Sequence, residues 1–434
     1  MDLASTTALL TDHYELTMLQ AALHSGSAGR RAVFEVFARQ LPHGRRYGVV
    51  AGTGRLLDAL EAYVFDEAGL EFLRDHVVDD VTADWLAEYR FSGDIYGYAE
   101  GDCYFPGSPI LRVEGTFAEA VVLETLVLSI LNHDSAIASA ASRMVYAAGE
   151  RPIIEMGSRR THEMAAVASA RAAYLAGFAT TSNLAAGRRY GVPTAGTSAH
   201  AFTLLHDSER RAFEAQLAAG GPATTLLVDT YEVERAVRTG IELAGAELGA
   251  VRIDSGDLAA EAAEVRRLLD SLDAKKTRIV VTGDLDEYLI AALAIAPVDG
   301  YGVGTALVTG SGAPTASLVY KLVARADSAD PAAPLRPVAK RSIGKPSKGG
   351  RKWAVRRIDA QGIARAEIVT TSEPTPGPHD RELLVSLVRA GSVVGREPLD
   401  DARARHRRVL QELPPTARRL SRGDPAIPTE FSTA

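Results

Sequence analysis

From residue 151 onward, short apolar runs alternate with longer stretches whose apolar residues recur at helical spacing. The runs are PIIEMG, GFATTSN, TTLLVD, AVRIDSG, RIVVTGD and DGYGVGT, and nearly all precede ten or more residues of helical pattern. Their apolar residues are continuous, as in strands covered on both faces, and strand–helix alternation predicts a parallel sheet. Polar residues recur where the runs end: Gly157 to Arg160, Thr181 to Asn183, Thr197 to His200, Asp254 and Ser255, Asp284, and Gly302 to Thr305. Active sites of βα barrels gather on that face. The pattern therefore predicts an α/β chain built on an irregular or incomplete α/β barrel.

The earlier residues mix helix and strand. Asp12 and Glu15 have the spacing of a capping box ahead of a helix striped by Leu16, Leu19 and Leu23, and AVFEVFA reads as extended. A long Ala/Leu/Val stretch from Glu119 to Ala148 includes Asn132, His133 and Asp134, too polar for a lipid span, and predicts a buried connecting helix. After about residue 325 the rhythm stops. DSADPAAP and TSEPTPGPHD are loop-like, KRSIGKPSKGGRKWAVRR is basic and glycine-punctuated, and the Arg- and Pro-rich stretch from Arg403 has a disordered-looking end. The expected divisions are an N-terminal α+β lobe (1–118), an α/β barrel catalytic domain (119–325) and a C-terminal segment (326–434).

Composition narrows the class. With 434 residues, 46% hydrophobic and 24% charged, the chain reads as a soluble globular protein. A formal net charge of -7 argues against general affinity for nucleic acid or anionic lipid, so an anionic ligand needs its own pocket. Cys103 is the only cysteine, which leaves no intrachain disulfide and no cysteine-based zinc site. The first residues lack a basic n-region and a cleavage-site pattern, and the expected location is cytoplasmic.

Several rim residues admit two readings. His200 is either a structural histidine bonded to backbone or a nucleophile, and Gly196, Thr197 and Ser198 ahead of it are small or hydroxyl-bearing residues suited to a phosphate. Arg159 and Arg160 are either solvated charges or, opposing a helix dipole at a helix start, ligands for an anion. Arg252 and Asp254, two apart on a strand, share a face; they form a structural ion pair or a carboxylate-held grip on an anion. Asp257 reads as a helix cap, with Ser255 the alternative. Asp284 caps a helix or binds ribose hydroxyls, while Gly302, Gly304 and Thr305 would let backbone N–H groups approach a phosphate. Between residues 151 and 310 the only lysines are Lys275 and Lys276, ahead of a strand, which speaks against Schiff-base chemistry. No HExxH, clustered metal-ligand set or P-loop occurs; a Mg2+ held mainly by substrate phosphates is compatible with that.

In this order, TDHYELTM, EMGSRR, TTSN, GTSAHAF, VRIDSGDL, VTGDLDE, GYGVGT and RSIGKPSKGGRK resemble the nicotinate phosphoribosyltransferase family over residues 9 to 355. The resemblance implies an N-terminal lobe joined by C-terminal segments that pack back on it, an irregular α/β barrel, and a head-to-tail homodimer with shared sites. It implies transfer of phosphoribose from phosphoribosyl pyrophosphate (PRPP) to nicotinate, giving nicotinate mononucleotide and pyrophosphate, coupled to ATP hydrolysis. His200 matches the family's phosphorylated histidine, Arg252 the residue near the nicotinate carboxylate and the PRPP phosphates, and Asp254 the carboxylate that orients it. Arg159 matches the ring-site arginine, Asp284 the ribose binder, and Gly302, Gly304 and Thr305 the 5′-phosphate cradle. Tyr14 matches an aromatic that reaches from the partner subunit to the pyridine ring, with simple helix packing the alternative. Thr181, Thr197 and Ser198 fall in the substrate-binding motifs, and Lys345 and Lys348 either lean toward the diphosphate or form a solvated basic loop.

Two positions bear on the acceptor. Ser182 stands where nicotinamide-using relatives carry an aspartate, which favours the acid as substrate; Met156 stands where relatives often have a ring-stacking phenylalanine. The competing expectations are a nicotinamide phosphoribosyltransferase and a non-catalytic nucleotide-binding regulator on the same fold. Quinolinate would need extra basic groups that this lysine-poor rim lacks.

Overall fold

The computed structural model describes residues 6–340 and 347–432. Two compact units emerge: one holds the chain up to Ala136 together with Thr315 onward, the other Ile137–Pro314.

In the first unit, an antiparallel sheet of seven strands runs in the order Leu335–Pro337, Leu318–Ala326, Arg31–Ala38, Leu111–Thr116, Asp94–Tyr98, Leu384–Arg389 and Ser392–Val393. The third of these is the apolar RAVFEVFA strand, and Phe34 stacks on Tyr320 with ring centroids 4.9 Å apart. Leu318–Ala326 pairs with that strand along its length, from Ala38 opposite Leu318 to Ala32 opposite Arg325. This backbone pairing assigns the strand to the first unit, so the division falls at 314/315, ahead of the expected 325/326. The earlier division, at 136/137 in place of 118/119, lies inside a continuous helix, Glu124–Ala148.

The later chain is fastened to this unit by buried charge. Arg356, fully buried, donates to Asp102 at 2.8 Å and to Glu367, while Asp102 also takes Arg381. Glu367 further accepts from Tyr98 at 3.2 Å and from Ser108. Isolated, any of these ions would be costly to bury; together their opposite charges offset one another, with Arg356 Nε and Arg381 Nε left without an acceptor among the described residues.

Three local expectations change. Asp12 caps the His13–His24 helix by accepting from Tyr14 N, but Glu15 does not close a capping box. Its carboxylate turns inward to Thr11 and Thr125, where it accepts Thr125 N at 2.9 Å, one of the N–H groups that open the Glu124–Ala148 helix. The long apolar stretch is two helices, Phe117–Val121 and Glu124–Ala148, broken at Val122 and Leu123. By length and composition Phe117–Ala148 is apolar enough to cross a membrane, yet 67% of its most apolar window is buried in protein. Finally, the stretch from Arg403 begins inside the helix Leu399–Glu412, and its disordered-looking end carries the strand Thr429–Ser432, which pairs in parallel with Ala364–Thr370.

The second unit contains six strands, one in each apolar run, in the order Thr180–Thr181, Ile153–Glu155, Gly300–Val303, Arg278–Thr282, Ala250–Ile253 and Thr225–Leu227. Every pairing is parallel, so the C-terminal ends of all six strands lie along one edge. Residues 191–199 are not a strand ahead of His200. They touch the sheet through one bridge, Thr181 to Thr194, because Pro193 has no N–H to extend a ladder.

Candidate active site

The C-terminal edge of the parallel sheet centres on Arg252. Its side chain is 12% exposed and donates to four acceptors: Thr282 Oγ1 at 3.0 Å, Thr197 Oγ1 at 2.7 Å, the Ser198 carbonyl at 3.1 Å and Asp254 Oδ1 at 3.0 Å. The two-residue spacing in VRID puts Arg252 and Asp254 on one face, as the strand period requires. Burial alone would raise the Asp254 pKa, but hydrogen bonds from Thr282 and Arg252 outweigh it and leave the carboxyl below its ordinary range.

His200 opens the helix His200–Leu205, with Ala199 as a cap that makes no side-chain hydrogen bond. Its Nδ1 lies 3.1 Å from Thr230 Oγ1 and its Nε2 3.8 Å from Asp229 Oδ1; the ring is 40% exposed. Asp229 is fixed from the other side, since its Oδ2 accepts Asp254 N at 2.8 Å and Ser255 Oγ at 2.7 Å. Asp229 and Thr230 were not singled out from sequence, although TTLLVD ends on an aspartate as the Asp254 and Asp284 runs do. Arg252, Asp254, Asp229 and His200 thus form one connected set, with Thr197 and Ser198 inside it.

At the other end of the sheet, Glu155 is the residue sequence reasoning missed. It is 1% exposed, accepts from Gly157 N and from Thr181 Oγ1, and so ties EMGSRR to TTSN. Burial raises its pKa against those two hydrogen bonds. Thr181 is itself buried and its hydroxyl is committed to Glu155 and to Asn183 N, whereas Ser182 is exposed. Arg159 and Arg160 are exposed in a turn; the next helix begins at Glu163 under a His162 cap, so they do not stand at a helix start. Met156 lies against Gly302, where a Cβ would come within 2.8 Å of its sulfur and 2.5 Å of Thr282 Cγ2. Gly302 therefore supplies space for Met156.

Asp284 does not cap a helix. Asp286 does, accepting Tyr288 N and Leu289 N, while Asp284 is exposed with φ 27° beside Gly283 at φ 106°. Asp284, Tyr288, Thr305, Thr309 and Ser311 line a cleft of about 360 Å3. Gly304 heads the short helix Thr305–Val308 at its wall. Glu287 braces the cleft: one oxygen accepts Arg143 Nε at 3.0 Å and the other Ser311 Oγ at 2.5 Å. Asp257 caps the Leu258–Ser271 helix, which leaves Ser255 free for Asp229.

Two candidates lie in the first unit. Tyr14 is 44% exposed, and burial of its hydroxyl, then the Glu124 and Glu15 carboxylates, push its pKa up. Lys348 borders a cavity of about 380 Å3 with Glu35, Arg39, Lys352 and Phe431, while Lys345 lies outside the described residues. Among the described residues no group of three His, Cys, Asp or Glu is arranged to hold a metal.

An arginine locked on four acceptors at the C-terminal edge of a parallel sheet defines an α/β protein with its candidate site at the strand ends. A family model, the nicotinate phosphoribosyltransferase (NAPRTase) N-terminal domain, matches residues 9–132. Nicotinate phosphoribosyltransferase pncB1 of Mycobacterium tuberculosis is 60% identical, over 97% of this chain and 94% of that protein. The pncB2 protein of the same organism is 41% identical, over 95% and 89%. The crystal structure of human nicotinic acid phosphoribosyltransferase matches with a TM-score of 0.84 at 27% identity, covering 98% of this chain and 97% of that one. Nicotinate-nucleotide pyrophosphorylase from Pyrococcus furiosus shares the fold, with a TM-score of 0.77 at 23% identity over 95% and 96% of the two chains. The chain belongs to the nicotinate phosphoribosyltransferase family.

Proposed function

We propose that the protein transfers phosphoribose from PRPP to nicotinate, forming nicotinate mononucleotide and pyrophosphate in NAD salvage, with ATP hydrolysis coupled through His200. The observation that carries this reading is the fixed Arg252 guanidinium, joined through Asp254 to Asp229 and so to His200. A guanidinium held by its neighbours can receive a carboxylate or phosphate without first losing conformational freedom. Asp229 favours the proton on Nε2, which leaves the lone pair on Nδ1 under the Thr230 hydroxyl. Once that hydroxyl turns aside, Nδ1 attacks the γ-phosphorus of ATP, the bond to the bridging oxygen breaks, and ADP leaves. The added charge then acts on the 194–199 loop and on Arg252 through Thr197 and Ser198.

Asp284 and Thr305 border the ribose and 5′-phosphate in this scheme, and Arg159 with the Glu155-braced loops borders the acceptor. Tyr14 from a partner subunit completes the ring site in a cytoplasmic homodimer. The substrate phosphates would hold Mg2+, which would neutralise part of their charge. The six-stranded parallel sheet is read as an incomplete α/β barrel. Ser182, exposed at its strand end, offers no carboxylate to repel an acid.

Labelled nicotinate or nicotinamide incubated with PRPP, with and without ATP, tests the proposal by product analysis. Nicotinate mononucleotide, with ADP release and a rate raised by ATP, is expected. Preference for the amide, or ATP left intact with both other substrates present, overturns it in favour of the amide-using or the regulatory reading.

A further inference from the structure

Among the described residues, Glu155 of the second unit is a buried carboxylate whose partners are all uncharged. It ends the strand Ile153–Glu155, and its two hydrogen-bond donors come from different loops: Gly157 N in EMGSRR and the Thr181 hydroxyl in TTSN. A carboxylate taken out of water without a cation beside it is costly, and burial accordingly raises its pKa. Joining the two strands does not require that side chain, because the parallel ladder already pairs Ile154 with Thr180 and Glu155 with Thr181. What the carboxylate adds lies past the ladder, at the strand ends.

Three cross-links tie the loops there. Ser182 N donates to the Glu155 carbonyl at 2.8 Å, the Thr181 hydroxyl donates to the Glu155 carboxylate, and Asn183 Nδ2 donates to Ser158 Oγ at 3.0 Å. The Thr181 oxygen also accepts Asn183 N at 2.9 Å, so one hydroxyl serves both its own loop and Glu155. Gly157 seats the first loop: an added Cβ would collide with Val308 and lie 3.0 Å from Glu155 Oε1, so glycine alone brings this N–H onto the carboxylate. Next to these bonds stand two exposed side chains, since Arg159 follows Ser158 and Ser182 precedes Asn183. A guanidinium separates a carboxylate from a carboxamide by charge and by a fork geometry that tolerates little displacement. Loops held at one spacing therefore favour an acid, and loops that drift cost the acid more than its amide.

We propose that Glu155 is a positioning residue for acceptor choice: its carboxylate clamps the EMGSRR turn to TTSN, fixes the spacing of Arg159 and Ser182, and so sets the preference for a pyridine carboxylate over the corresponding amide. The inference rests on the reading above, in which these two loops border the acceptor.

The test compares Glu155→Gln, Thr181→Val, Thr181→Ser, Ser158→Ala and the Glu155→Gln/Thr181→Val double variant of the full-length protein, with nicotinate and with nicotinamide as acceptor. Gln offers one carbonyl oxygen to two donors, and Val keeps the shape of Thr181 without its hydroxyl. Glu155→Gln and Thr181→Val are expected to lower the ratio of kcat/KM for nicotinate to that for nicotinamide about tenfold, chiefly through KM for nicotinate, with KM for PRPP unchanged. Thr181→Ser should keep the wild-type ratio, Ser158→Ala should lower it about threefold, and the double variant should fall no further than the more affected single one. An unchanged ratio in Glu155→Gln and Thr181→Val, with acid and amide losing equally, overturns the positioning role, because a merely structural residue lowers activity without altering acceptor choice. Calorimetric binding of nicotinate and of nicotinamide without PRPP reads the same preference independently of turnover. If the wild type turns over neither acceptor, the transferase reading fails; the clamp then stands only if nicotinate binding weakens in these two variants while nicotinamide binding holds, and falls otherwise.

Discussion

Asp229 presents a buried carboxylate oxygen to Nε2 of His200 at 3.8 Å, and no hydrogen-bond donor among the described residues reaches that oxygen. A buried acceptor left unpaired costs about 1–3 kcal/mol. The cost falls when the imidazole closes on it with a proton on Nε2, so Asp229 biases the ring toward the tautomer in which Nδ1 is nucleophilic.

His200→Ala should abolish ATP stimulation of product formation and weaken PRPP binding while the protein stays folded. The ring is 40% exposed with one close partner, Thr230, so the stability loss should stay near 1 kcal/mol. ATP-dependent and ATP-independent rates, read beside a thermal melt, decide it; undiminished ATP stimulation would count against the assignment.

Asp229→Asn keeps the shape but offers the ring no charge. The ATP-coupled rate should fall on the order of tenfold to a hundredfold, with little change in the rate without ATP. Equal losses in both would show that Asp229 acts only by holding the Asp254–Ser255 turn.

Arg252→Lys retains the charge and loses the fork. A lysine cannot serve Thr282, Thr197, Ser198 and Asp254 together, so activity should drop at least about a hundredfold. A lysine variant within a few-fold of wild type in kcat/KM would show that charge alone suffices.

Two buried groups of the first unit make stability depend on pH with opposite signs. Burial raises Glu15 from 4.5 to about 7, so the folded state holds its proton more tightly and stability falls as pH rises from about 4.5 to about 7. Burial lowers His406 from 6.5 to about 4, so the unfolded state takes the proton first and stability falls as pH drops from about 6.5 to about 4. Glu15→Gln should therefore gain stability over wild type at pH 8 relative to pH 5, by on the order of 2 kcal/mol. Urea unfolding at the two pH values measures it; an identical wild-type-to-variant difference at both would refute the Glu15 shift.

The parallel strands were legible because strands covered on both faces need continuous apolar residues, and the Arg252–Asp254 pairing because side chains on a strand repeat every second residue. The ordered motifs likewise carried the family. Asp229 was not legible, since an aspartate at a strand end looks the same whether it caps a helix or faces a histidine. Glu15 was misread for a related reason: its spacing fits a local cap, but the buried Thr125 N–H competes for the same carboxylate.

By itself, then, the sequence determined periodicity, and with it the strands, their polar ends and which neighbours share a face. Tertiary structure alone decided where partners distant along the chain meet: Glu35 on Lys352, Arg356 between Asp102 and Glu367, and Phe431 against Lys348. The physical reason is that burial of a charge or an aromatic ring is worth its cost only when a particular partner arrives. Local pattern gives the tendency to bury and not the identity of what is buried against it.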